Sequence, residues 1–371
     1  MMAPGAAVVV LGALLMVSIP LAISVGAVPI PLRTTCGLLM GGVGSHPTVE
    51  VRAEQMILFD IRLPRALCAA VIGAALSIGG LLYQGLFRNP MAEPYVIGSS
   101  GGAALGAMLS FIIPRVALFG FSGTATMAFA CSMATVLAVY AIARVNGRIS
   151  VVSLLLAGLA FSAILTSATS FLASVDRDGA TAMRLLTLWL SGAVATPTYG
   201  QLLAASAVLL ICLVISVPMA RQLNTLALGD EQAQSLGIPL EWTRAGIIVL
   251  GSLLTAVAVS LGGIIGFVGL IVPHFLRLLF GPDHRRLLPL CALGGAIFLL
   301  AADTLARTAL APAELPVGVL TAFIGVRHFS TCFAGASGNG WHERRHRGGR
   351  SLLQLERESG GEGLVIQAVS G

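Results

Sequence analysis

Long apolar runs separated by short polar connections dominate the chain. A membrane helix needs roughly 20 mainly apolar residues, because each rises about 1.5 Å across a hydrocarbon core of about 30 Å. On that ruler, spans are predicted near 6–28, 63–86, 94–113, 116–142, 150–173, 201–220, 243–261, 264–280, 287–304 and 316–333. The stretch from Ala6 to Val28 is read as a retained first span and not a cleaved signal peptide. It has no Lys or Arg before Arg33, and its apolar part is long.

The polar connections set an expected orientation. With the N-terminus inside and spans alternating, Arg144 and Arg148, Arg221 with Arg244, and Arg285 with Arg286 all fall on the cytosolic side, as the positive-inside effect requires. The other face carries 29–62, the Asp176–Asp178 turn with the segment up to Gln201, and 304–315. Arg62, Arg65 and Arg307 sit on that outer face, against the rule. Such arginines can snorkel to lipid phosphates, or they can serve a function.

Composition agrees with the pattern. With 56% hydrophobic and 10% charged residues and a mean hydropathy of +0.92, the 371-residue chain has too little polar surface to cover a water-soluble globule. The formal charge is +6, and all 22 Lys and Arg residues are Arg. They are scattered between apolar runs, which argues against nucleic-acid binding. The cysteines Cys36, Cys68, Cys131, Cys212, Cys291 and Cys332 form no C-x-x-C pair and read as small buried hydrophobes. Many of the 44 glycines have small-x-x-small spacing, as in Gly98, Gly101, Gly102 and Gly106, which suits close helix packing. The SIGG word at 77–80 and the SLGG word at 260–263 lie about half a chain apart, too short a likeness to establish a repeat.

Three segments break the apolar pattern. After the helix that starts at Arg62 comes an interruption at Gln84, Arg88, Asn89, Pro90, Glu93 and Pro94, followed by Ser99 and Ser100. Polar groups and prolines are costly in bare hydrocarbon, so these residues either line a protein interior or a water-filled path, or form a cytosolic turn. Leu226–Arg244 is polar, amphipathic and too short to span; it reads as a surface connector or as a short helix that docks into a partner's groove. In Gly262–Arg286, Pro273 is expected to kink its helix, with His274 a packed or interfacial residue.

In this order the segments resemble the permeases of binding-protein-dependent ABC importers for iron-siderophores, haem and vitamin B12, the FecCD type. The resembling words are RLPR at 62–65, QGLFRNPMAEP at 84–94 with GSSGGAALGA after it, LALGDEQAQSLG at 226–237, GFVGLIVPHFLR at 266–277 and ELPVG at 314–318. The match runs from about 55 to 325. The resemblance implies an all-α, polytopic membrane protein of about ten transmembrane helices with the ABC importer permease fold, in a bacterial inner membrane. It implies a second permease copy, two ATP-binding subunits that hold ATP and magnesium, and a periplasmic substrate-binding protein. The chain itself is expected to hold no cofactor, metal or catalytic residue. The coupling helix, about 226–240, would seat Leu228, Gly229, Ala233, Leu236 and Gly237 in the ATPase cleft. Arg62, Arg65 and Arg307 would face acidic residues of the binding protein. Gln84, Arg88, Asn89, Pro90, Ser99 and Ser100 are the candidates for path or gate.

The family pattern stops after Gly325, where the chain reads Val326-Arg327-His328-Phe329-Ser330 and then a Gly/Arg-rich tail. A back-translation of 326–333 in a shifted frame restores an apolar ending, which suggests a frameshift. The permease domain is therefore placed at 1–333, and 334–371 is expected to be a disordered cytosolic tail. Two other function classes make different demands on the sequence. An ion-coupled secondary transporter needs ionisable residues near the bilayer midplane, of which the spans are almost bare. A membrane enzyme needs a metal or nucleophile constellation, and none is evident. No G-x-x-x-x-G-K-[ST] loop occurs, so ATP hydrolysis is assigned to a partner.

Overall fold

The computed structural model of the chain describes residues 4–26, 28–41, 49–113, 120–145, 148–175, 179–311, 313–327 and 330. Its helices are α1 (Pro4–Ser24), α2 (Leu32–Leu39), α3 (Val49–Met56), α4 (Leu63–Phe87), α5 (Ser99–Ile112), α6 (Gly123–Ala143), α7 (Val151–Val175), α8 (Gly179–Leu190), α9 (Tyr199–Leu226), α10 (Asp230–Ser235), α11 (Leu240–Gly262), α12 (Val268–Phe280), α13 (His284–Thr308) and α14 (Val317–Arg327). A short antiparallel pair, β1 (Arg144–Val145) with β2 (Arg148–Ile149), joins α6 to α7. Residues Met1–Ala322 form one compact unit, and the remainder, from Phe323, is described only at 323–327 and 330.

Seven helices are long and apolar enough to cross a membrane, and three shorter apolar ones are α5, α12 and α14. Each of the ten expected spans meets one of these ten. Boundaries differ for physical reasons. The expected span 94–113 is split: Pro94–Ile97 is a 3-10 turn, and Gly98, at φ 85°, breaks the chain before α5 begins. Before the expected span 63–86, a π-helical stretch, Ile57–Arg62, makes Val51–Phe87 one continuous 37-residue helix. The segments 29–62 and 179–201 also hold α2, α3 and α8, which no span ruler finds because each is too short to cross. Residues 334–371, with the disorder expected of them, lie outside the described residues, as do 328, 329 and 331–333.

The core is α4, with 19 of its 25 residues buried. It packs chiefly against α13 and α11, and also against α12 and α9. Its sequence, rich in Ala, Gly and Ser, is what such a position demands: lipid removes the hydrophobic drive between helices, so association depends on close backbone approach. A Cβ on Gly73 would overlap the carbonyl of Gly295 in α13, and one on Gly80 would overlap that of Gly269 in α12. On the α11 side the fit is inverted. Gly251 leaves room for the buried Tyr83 ring, whose hydroxyl lies 2.6 Å from Ser252 Oγ and donates to Ile248 O. The small-residue face of α5 works the same way, with Gly102 and Gly106 against Cys131 and Met127 of α6. By contrast α1, α7 and α9 keep wide apolar faces exposed, including Met16, Leu159, Phe171, Leu203 and Val214.

Gly80→Val should force α4 and α12 apart. The expected outcome is a loss of about 1–3 kcal/mol or more, as overpacking costs elsewhere. It should be read as a thermal midpoint several degrees lower in detergent. Gly5→Ala, where nothing lies within 4 Å of the added carbon, should leave the midpoint unchanged.

Candidate coupling surface, polar clasp and arginine cluster

At one end of the bundle, α9 runs out at Leu226 and α11 begins at Leu240, with α10 between them. Gly229 (φ 126°) and Gly237 (φ 79°) supply the left-handed corners that set α10 off from its neighbours. The expected coupling residues do not share one environment. Ala233 is fully buried against its own chain, whereas Leu228 is 61% and Leu236 is 64% exposed. Leu228 and Leu236 thus face away from the bundle, and Ala233 seats α10 on it.

Asp230 ties this helix down. Its carboxylate accepts from Arg88, at the end of α4, and from Arg244 of α11. Arg244 Nη1 also donates to Ile149 O at 2.8 Å, and Glu241 Oε2 accepts from Ile149 N at 2.9 Å. Burial works to raise the Asp230 carboxyl, but Arg244 and then Arg88 outweigh it and hold the group below the ordinary carboxylate range. Beside this node opens a cleft of about 740 Å³, lined in part by Glu231, Gln234 and the 81% exposed Trp242.

One turn before Arg88 on α4 lies Gln84, buried. Pro273 has no N–H to give Gly269 O, and Gln84 Nε2 supplies the missing donor at 3.2 Å, with Leu270 O accepting from it as well. Arg277 Nη1 donates to Gln84 Oε1 at 2.9 Å. Gln84 therefore acts as a clasp across the kink in α12. Gln84, Arg88, Asn89 and Pro90 share a second cleft of about 620 Å³ with Arg277, Asp283 and His284. Ser99 and Ser100 are not part of it: Ser99 is buried, with its hydroxyl on Pro94 O, and Ser100 is half-buried on α5. Further along, Glu93 Oε1 accepts from Phe267 N at 2.6 Å and caps the start of α12, where Phe267 takes a left-handed φ of 68°. Tyr95 bonds both the N–H and the carbonyl of Ile265.

The three arginines meet at the far end of α4, about 37 Å away along a 25-residue helix. Asp303 of α13, fully buried, is the hub for Arg65 and Arg307. Arg65 grips Asp303 Oδ1 through Nε at 3.2 Å and Nη2 at 3.0 Å, and reaches the half-exposed Glu314 at 2.8 Å. Arg307 Nε donates to Asp303 Oδ2 at 3.0 Å. The remaining donors go to carbonyls at and just beyond the end of α1. Arg62 takes those of Ile23, Ser24 and Val28, and Arg307 those of Ala22 and Val25. Arg62 and Arg307 are thus buried side chains that cap a helix and do not snorkel to lipid.

Several of these residues escaped sequence reasoning. Asp303 carried a usable signal, an acid in an apolar run four residues before Arg307, on the same helical face. The roles of Glu93, Tyr95 and Asp230 had none, since their partners lie far away in sequence. Among the described residues, no group of three or more His, Cys, Asp or Glu comes together to hold a metal ion.

Comparison with known proteins agrees with this architecture. Residues 14–333 match the FecCD transport family. The chain is 42% identical to the hemin transport system permease protein HmuU of Yersinia pestis over 275 residues, 74% of this chain and 81% of that one. It is 43% identical to the cobalamin import system permease protein BtuC of Halobacterium salinarum, over 74% of this chain and 72% of that one. A solved structure of a metal-chelate type ABC transporter in an inward-facing conformation superposes with a TM-score of 0.74 at 31% identity, covering 88% of this chain and 98% of that one. By its sequence, its fold and its polar α10 insert, the chain belongs to the FecCD transport family and is a membrane-embedded transport permease of the ABC importer fold.

Proposed function

We propose that this chain is the membrane-spanning subunit of an ATP-driven importer, forming the translocation path for a bulky metal chelate. An iron chelate, haem or siderophore, or vitamin B12 would be delivered by a periplasmic binding protein. The observation that carries the reading is α10, a short polar helix on two left-handed glycines with Leu228 and Leu236 exposed, within a chain of this family. Two ATP-binding subunits, holding ATP and magnesium, would seat on that helix. The α10 end would then be cytosolic, as would the N-terminus, in a bacterial inner membrane. Relatives named for hemin and for cobalamin are almost equally similar, and their shared chemistry is a large planar metal macrocycle. A cargo of that size needs a wide path, which a second copy of the chain would complete. The face of α7 that its own chain leaves uncovered is rich in small residues, among them Ala160, Ala163, Ser167, Ser170 and Ser174. The cleft with Gln84, Arg88, Asn89 and Pro90 would form the inner mouth.

The binding protein would meet the opposite end. Arg62, Arg65 and Arg307 concentrate positive charge there, and acidic partner residues would be drawn to it. Since Arg62 and Arg307 also cap α1, Arg65 is the cleaner test.

Copurification with the cognate ATPase tests the main reading: the wild-type chain should retain it, and Leu236→Glu should lose it while still inserting in the membrane. An ATPase retained equally by both would contradict the contact. For the outer face, Arg65→Glu should weaken binding-protein affinity about tenfold or more, with less effect at high salt. Unchanged affinity would remove the docking role. Asp303→Ala removes the buried carboxylate shared by Arg65 and Arg307 and should cost about 3–5 kcal/mol of stability, read as a lower thermal midpoint with no dependence on the binding protein.

A further inference from the structure

Arg88 stands between two contacts that no single segment reveals. Its side chain, at the end of α4 where the backbone is left-handed (φ 50°), holds Asp230 of α10. Four residues earlier, on the same cleft, Gln84 holds the Gly269 carbonyl that Pro273 leaves without a donor. The two contacts differ in kind. Arg88 and Asp230 are both roughly half-exposed, and a pair in that setting is weak and easily exchanged. Gln84 is buried, and its amide bridges α12 carbonyls on one side and Arg277 on the other. Around Gln84 α4 is closely packed: Gly80 lies against the backbone of Gly269, and Gly85 against the side chains of Leu223 and His284.

We propose that Asp230, Arg88 and Gln84 form a relay that positions the Pro273 kink of α12 according to the seating of α10, so that breaking and remaking the Arg88–Asp230 pair couples the ATPase to the path. The kink is the element with two arrangements, its Gly269 carbonyl held by Gln84 or released. Arg244 is the fixed point of the device. It is buried, bonded to Ile149 O, and keeps Asp230 in place while Arg88 comes and goes. At that inner mouth the three act on the position of α12 and not by holding cargo; they are positioning residues. The inference rests on α10 being the ATPase contact.

The test is a set of variants purified with the cognate ATPase and reconstituted in proteoliposomes, in which ATP hydrolysis and cargo uptake are measured together. Arg88→Ala, Asp230→Asn and Gln84→Leu should each lower the cargo moved per ATP hydrolysed about tenfold, with the ATPase still bound. Arg88→Lys should keep most of the coupling. The Arg88→Ala/Asp230→Asn double variant should be no worse than either single one, because both remove the same link. A purely structural role would lower the thermal midpoint and yield but leave uptake per ATP unchanged, and that result overturns the relay; so does a double variant whose losses multiply. Arg88→Ala, an exposed side chain at a helix end, guards against loss of folding in Asp230→Asn. If the wild-type chain retains no ATPase, the coupling assignment of α10 itself falls, and the relay with it.

Discussion

The architecture depends on how closely other helices can approach α4. Within a bilayer, apolar side chains gain nothing by leaving lipid for one another, so packing and polar contacts must hold the bundle together. The chain meets this with glycines that let backbone touch backbone, Gly73 at Gly295 and Gly80 at Gly269. The same small residues make α4 a rod running between two charged ends. Arg62 and Arg65 lie at one end and Arg88 at the other, so whatever either end meets is felt through one rigid element.

A second constraint follows from the first. Every backbone group inside the bundle must find a partner, so each irregularity is matched by a side chain from elsewhere. Gln84 answers the kink at Pro273, Glu93 caps the start of α12, and Arg62 and Arg307 close the end of α1. The arginines that break the positive-inside rule are explained within the chain by Asp303 and these carbonyls. Asp303 and Glu314 balance two of the three arginines, and the one positive charge left over keeps a docking role compatible with burial.

The ten apolar helices were legible because hydropathy needs only local sequence. So was the special character of 226–244, where polarity changes abruptly. The split of 94–113 was half legible: Gly98 could be seen, but not its left-handed conformation or its position against Gly158 of α7. The short helices α2, α3 and α8 fall below the length at which a span can be recognised. The site was harder to read. Gln84 was legible as a candidate for path or gate, but not its bond to the Gly269 carbonyl of α12, and Ala233 and Leu236 were given one role although one is buried and the other exposed. Arg65 and Asp303 lie 238 positions apart, and no pattern along one chain announces such a pair.

The central claim is that the chain is the path of a machine driven by ATP. The most direct measurement is uptake of a metal macrocycle into proteoliposomes containing the chain, its ATPase and its binding protein, with ATP supplied or withheld and with proton and sodium gradients collapsed. Uptake that requires ATP hydrolysis and survives loss of both gradients is the predicted result. Uptake that continues without ATP and stops when a gradient is collapsed would contradict it.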